Sequence, residues 1–103
     1  MKNIHLLEPL DENLIQSIIN DIDLNPTARF ILIEMIQHPD DSLFDEQTIL
    51  KNYPIFDVKE VMNGFELLVM QGYLKRIVTP PITQYYLSLN KDFDSDANIG
   101  LFN

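Results

Sequence analysis

The chain has 103 residues, 46% of them apolar, enough for one domain with a modest core and too few for two. Sixteen acids against seven bases give a net charge of -9, which repels a polyanion on average, and the absence of cysteine excludes a disulfide framework and a thiolate metal site. No apolar run is long enough to cross a bilayer and Met1-Lys2-Asn3 opens no secretory core, which together predict a cytoplasmic protein with no membrane partner.

Leu14, Ile15, Ile18, Ile19 and Ile22 recur at the spacing of one helical face and predict a first helix over residues 11–22. Asn25 is a good N-cap and Pro26 a good first helical residue, so a second helix runs from Pro26 to about Gln37. Its expected buried face is Ala28, Ile31, Leu32, Met35 and Ile36, and Pro39 ends it by disfavouring helical geometry at His38. Pro39-Asp40-Asp41-Ser42 reads as a turn, Leu43-Phe44 as a short strand, and Asp45 as the cap of a short third helix from Glu46 to Lys51.

Asn52-Tyr53-Pro54-Ile55-Phe56 cannot continue that helix, because Pro54 lacks a donor and restricts Tyr53. A fourth helix begins at Asp57, with Val58, Val61, Met62, Phe65, Leu68 and Val69 as its apolar stripe and Gly72 as a left-handed stop. From there the period becomes extended: Tyr73 to Val78 and Gln84 to Leu89 flank Thr79-Pro80-Pro81-Ile82-Thr83 and predict a β-hairpin. Residues 1–90 form the expected domain, and residues 91–103 an acidic flexible tail. The fold class is mainly α with a small β-hairpin (α+β), in the order α-α-(β)-α-α-β-β of a winged helix-turn-helix with an extra N-terminal helix.

Leu24-Asn25-Pro26-Thr27-Ala28-Arg29, His38-Pro39-Asp40-Asp41 and Met70-Gln71-Gly72-Tyr73-Leu74-Lys75-Arg76 together resemble the winged-helix modules near the N-termini of phage and plasmid replication-initiation proteins; the DnaD-like replisome organisers are similar. The resemblance spans residues 24–89. It implies a phage or mobile-element protein of replication or transcription control, with the fourth helix as recognition helix and the hairpin as wing.

In that arrangement the start of the recognition helix meets base edges in the major groove and the wing's cations hold phosphates. Residues 1–24 carry five acids and one base, 25–78 eight and five, and 79–103 three and one, so a polyanion site belongs in the middle segment. The outward positions of the fourth helix are Asp57, Lys59, Glu60, Asn63, Glu66, Leu67 and Met70, one cation among three carboxylates. Lys59 and Asn63 are the expected base readers, with Lys75 and Arg76 at the wing base and Lys51 and Arg29 as phosphate contacts. Two functions fit this pattern. One is binding of double-stranded DNA through residues 57–71 and the wing, 72–90; the other is an acidic protein-interaction module, a dimerisation unit, adaptor or DNA mimic, without DNA binding.

Leu67 and Met70 leave an apolar outer edge on the fourth helix, and Leu14 and Ile18 offer a second such surface on the first. Each is a candidate contact for a protein partner or homodimer, unless the fold covers it internally. Gly64, in mid-helix, costs about 1 kcal/mol relative to alanine, a cost that close approach of another backbone or a ligand would offset and that drift at an exposed position would also explain. Asp92, Asp94 and Asp96 followed by Ile99, Leu101 and Phe102 resemble an acidic docking peptide.

His5 and His38 are the only histidines, and neither stands beside a recognisable nucleophile or carboxylate pair; His38 is placed for a dipole contact at a helix end. Asp40-Asp41 and the C-terminal aspartates lack calcium-loop spacing, and Gly64, Gly72 and Gly100 are too scattered to cradle a phosphate. The expectation is a protein with no enzymatic activity, cofactor, metal or small-molecule substrate.

Overall fold

Each of the four helices among the described residues starts where a short polar side chain caps it. In a computed structural model, which describes residues 2–93, Asp11, Asn25, Asp45 and Asp57 accept hydrogen bonds from the backbone N–H groups of Asn13, Ala28, Thr48 and Glu60. They open α1 (Glu12–Ile19), α2 (Pro26–Ile36), α3 (Glu46–Asn52) and α4 (Val58–Met70), and at α3 and α4 the third helical residue reaches back to complete a capping box. At the far end of α4, Gly72 takes φ +87°, its N–H reaches Val69 and that of Tyr73 reaches Leu68, which closes the helix in a Schellman motif.

Beyond it run β2 (Leu74–Thr79) and β3 (Ile82–Leu87), antiparallel, with Arg76 opposite Tyr85. The register closes on Thr79 and Ile82, so the hairpin tip is the two residues Pro80-Pro81 and not the five expected. A strand absent from the sequence reading, β1 (Ile4–Leu6), pairs parallel with the other edge of β3 and gives the sheet order β1-β3-β2. Among the described residues the fold is α+β, four helices and a small sheet, compatible with the helix order and hairpin wing of a winged helix-turn-helix.

The strand expected at Leu43-Phe44 does not form. Phe44 is instead gripped by a side chain: buried Asn3 accepts from the Phe44 N–H and donates to the Phe44 carbonyl and to the Thr83 carbonyl, which ties the loop to the sheet without a ladder. The core lies between α2, α4 and the inner sheet face, with Ala28, Ile31, Leu32, Met35, Val61, Phe65, Leu68, Leu74 and Leu87 buried. Gly64 belongs to this core, not to an exposed face. A Cβ there would lie 2.7 Å from the Ile31 Cδ1 and 3.4 Å from the Thr27 Cγ2, so the glycine lets α2 and α4 approach, and that packing offsets its propensity cost.

Four further expectations need correction. The first helix ends at Ile19, not Ile22: Asp21 turns the chain out by accepting from the Asp23 N–H, and Ile22 is left 93% exposed. Val58 and Met62 stand outside the α4 stripe, which runs through Val61, Gly64, Phe65 and Leu68. Ile18 is fully buried and closes the domain, so it offers no partner surface, while Leu14 packs against the core beside it and is half-buried. Finally, the domain runs past Asn90. Lys91 N–H and Asp92 N–H bond to Ser88, and Phe93 N–H bonds to the Gly72 carbonyl. The rest of the expected tail, 94–103, with the aspartate and Ile99, Leu101, Phe102 docking pattern, lies outside the described residues.

Candidate nucleic-acid and partner surfaces

The helix-turn-helix pair α3–α4 is fixed in place through its turn. Phe30 of α2 meets Tyr53 edge-on at 4.8 Å and Phe56 at 5.3 Å, and the Tyr53 hydroxyl donates to Glu34 at 2.9 Å. That bond to a carboxylate, with burial second, holds the Tyr53 phenol above its ordinary pKa. These contacts tie the turn to α2 and so set the direction in which α4 presents its outer face.

On that face Lys59 and Asn63 are exposed and, four residues apart, lie on one side of the helix. Asp57, Glu60 and Glu66 are exposed around them, and Glu60 also accepts the Asp57 N–H. Lys51 stands exposed in the last turn of α3, where it suits the helix dipole. Neither lysine forms an ion pair with a described residue.

The two arginines are committed elsewhere. Arg29 Nη2 donates to the carbonyls of Asp21 and Leu24, both at 2.9 Å, and bolts the α1–α2 loop to α2. Arg76 Nη1 lies 2.5 Å from Glu46 Oε1, each side chain about a quarter exposed, with the guanidinium 5.9 Å from the Phe65 ring centre. Lys75 and Arg76, adjacent in sequence, point to opposite faces of β2. Lys75 Nζ sits 5.8 Å from the Phe93 ring centre, and Arg76 faces a cleft of about 470 Å³ lined by Asp45, Glu46, Gln47, Val78, Thr83 and Tyr85. Burial, reinforced by Glu46, pushes the Tyr85 phenol in that cleft up to about 12. Of the six expected DNA contacts, Lys51, Lys59 and Asn63 are thus free to meet a ligand, Lys75 partly so, and Arg29 and Arg76 hold the fold together.

The apolar edge expected on α4 also divides. Met70 is 67% exposed, whereas Leu67 packs against the core. His38 follows the C-cap of α2; its ring meets Phe44 edge-on at 5.3 Å, with Nε2 buried and without a hydrogen-bond partner. Asp40 pairs loosely with Lys2 at 3.8 Å, and among the described residues no three metal-ligating side chains gather. No described helix is long and apolar enough to cross a membrane.

One polar cluster has no signal in the sequence. The Tyr73 hydroxyl donates to Asp21 Oδ2 at 2.5 Å, and Lys91 reaches the same oxygen at 3.2 Å while lying over the Tyr73 ring. Burial alone would raise the Asp21 pKa; the bonds from Tyr73 and the Asp23 N–H, with Lys91, outweigh it and hold the carboxyl below its ordinary 3.8. A lowered carboxyl stabilises the fold above its unfolded pKa and loses that contribution as pH falls through the folded value. Tyr73→Phe is therefore expected to cost about 2 kcal/mol at neutral pH, and the difference from the parent should shrink below about pH 4, measured as urea midpoints across that range.

No protein-family model matches the chain, and neither a curated protein nor a solved structure matches it.

Proposed function

We propose that this chain is a winged-helix protein-interaction module of replication or transcription control, acting on a basic partner and not by gripping duplex DNA. The observation that carries this reading is the engagement of both arginines: Arg76 is held by Glu46 and Arg29 by two backbone carbonyls, so neither is free to hold a phosphate. What remains outward on α4 is one lysine among Asp57, Glu60 and Glu66, on a chain of net charge -9. Phosphate contacts supply most of the affinity for duplex DNA, and each acid beside a phosphate subtracts from it. The setting in replication or transcription control, in a phage or mobile element, rests on the resemblance of residues 24–89.

A second reading is favoured by the free state of Lys51, Lys59 and Asn63: weak duplex binding through the start of α4, with Lys75 at the wing. Titration of a fluorescent random-sequence duplex at low salt separates the two. No saturable binding is expected. A salt-dependent isotherm that disappears in Lys51→Ala/Lys59→Ala would replace the first reading with the second.

A further inference from the structure

The aliphatic residues of α1 form two adjacent stripes, and the core uses only one. Leu14 and Ile18 face inward. Ile15 and Ile19 lie four residues apart on the neighbouring side; Ile15 is half-buried without joining the core, and Ile19 is 47% exposed. Ile15 borders a groove of about 850 Å³ between the first part of α1 and the end of α2, with Leu10, Ile33 and Ile36 as its other aliphatic residues. Leu10 is 57% exposed, and Ile33 and Ile36, which pack against the core on one side, are only half-buried on the other. The remaining lining is Asp11, Glu12, Gln16 and Gln37, all exposed, so every charge on the groove is negative.

Resting on the reading of the chain as a protein-interaction module, we propose that this groove docks an amphipathic helix of a partner protein, with an aliphatic stripe for Leu10, Ile15, Ile33 and Ile36 and lysine or arginine flanking it toward Asp11 and Glu12. The charge selects the occupant. A second copy would bring the same two carboxylates and a further net charge of -9, and the only base on α1 or α2 is Arg29, already held by carbonyls. The chain's own C-terminal segment has a suitable apolar end in Ile99, Leu101 and Phe102, but Asp92, Asp94 and Asp96 give it the sign of the groove. An eight-residue α1 is about 12 Å long, which matches two to three turns of a docked helix with anchors at i, i+3 or i+4, and i+7.

The test is an NMR titration of the full chain with a synthetic Leu/Lys amphipathic helix of about four turns. Two control peptides accompany it, one with every Lys changed to Glu and one with every Leu changed to Ser. The Leu/Lys peptide is expected to shift the amides of Ile15, Ile33, Ile36 and Gln37, with affinity lowered about tenfold or more by Ile15→Gln, a position outside the core. Both controls should bind far more weakly. Equal binding of the Leu-to-Ser peptide, equal binding of the Glu peptide, or shifts confined to α4 overturns the groove while leaving the protein-module reading standing; that reading fails separately, in the duplex titration. A dimer in sedimentation that Ile15→Gln dissociates assigns the groove to a second copy, and tighter peptide binding by Leu101→Ser/Phe102→Ser assigns it to the chain's own end; either result overturns the proposal.

Discussion

Gly72→Val is expected to destabilise the fold by about 4 kcal/mol, read as a lower urea midpoint at unchanged slope. Gly72 holds φ +87°, where an L-residue pays about 1–2 kcal/mol and a β-branched one more. A Cβ there would also lie 2.7 Å from the Phe93 carbonyl oxygen and 2.8 Å from that of Lys91. Both are backbone atoms in a segment held by the bonds of Lys91, Asp92 and Phe93 to Ser88 and Gly72, so neither can swing aside as a side-chain tip would. The remainder of the cost is the displacement of that segment or the opening of the Schellman turn between α4 and β2. Gly72→Ala meets the same two oxygens and should follow in the same direction with a smaller loss. For a domain whose whole stability is about 5–15 kcal/mol, the valine variant loses a large share of it. A midpoint equal to the parent's would show that residues 91–93 do not rest on Gly72.

Gly72 was readable because its signal is local: a glycine following a helical stripe and preceding an extended run. The caps at Asn25 and Asp45 were readable on the same ground, each bonding to a backbone N–H three residues on, and Asp57, read as the start of the fourth helix, caps it in the same way. Two of the failures are largely non-local. Ile4-His5-Leu6 offers one alternation, too little for a period, and its strand exists only because β3 presents an open edge to it. The first helix looked longer because Ile22 keeps the helical spacing, while what stops it is Asp21, occupied by Tyr73 and Lys91 from distant parts of the chain.

The candidate site was half legible for a related reason. Composition gave the outer face of α4, the helix that the resemblance would make the reader of DNA, a mostly acidic character, and the exposure of Lys59 and Asn63 agrees with their expected outward positions. Composition could not say that Arg29 and Arg76 are occupied, since their partners are loop carbonyls and a glutamate of α3, distant in sequence from the strand that carries Arg76. Nor could it choose between the two stripes of α1. Leu14, Ile15, Ile18 and Ile19 are one wide aliphatic face to a helical period, and only packing decides which half of such a face meets the core and which is left over.

Asn3 is the residue for which sequence gave least warning, and Asn3→Asp should be among the most damaging single changes. Asn3 is 2% exposed; its Nδ2 donates to the Phe44 carbonyl at 2.7 Å and the Thr83 carbonyl at 3.0 Å, and its Oδ1 accepts the Phe44 N–H at 2.9 Å. Asn3→Ala removes all three bonds and leaves the N–H and carbonyl of buried Phe44 unpaired, for an expected loss of about 3 kcal/mol. Asn3→Asp keeps the shape and the bond from the Phe44 N–H, but replaces the donor with a carboxylate oxygen facing two carbonyl oxygens. At neutral pH it should therefore be worse than alanine, by about 4 kcal/mol in total. Protonation restores one donor, so the new carboxyl titrates higher in the folded state than its unfolded value near 4. The variant is therefore closest to the parent below that unfolded value and loses stability as pH rises through the raised folded one. This is opposite to Asp21, whose lowered pKa makes the parent lose stability on acidification. Urea midpoints of parent and variant at about pH 4.5 and about pH 7 should accordingly converge at the lower pH. A gap that stays constant, or widens on acidification, would mean that no side chain at position 3 faces those carbonyls, and that β1 is held to the α2–α3 loop in some other way.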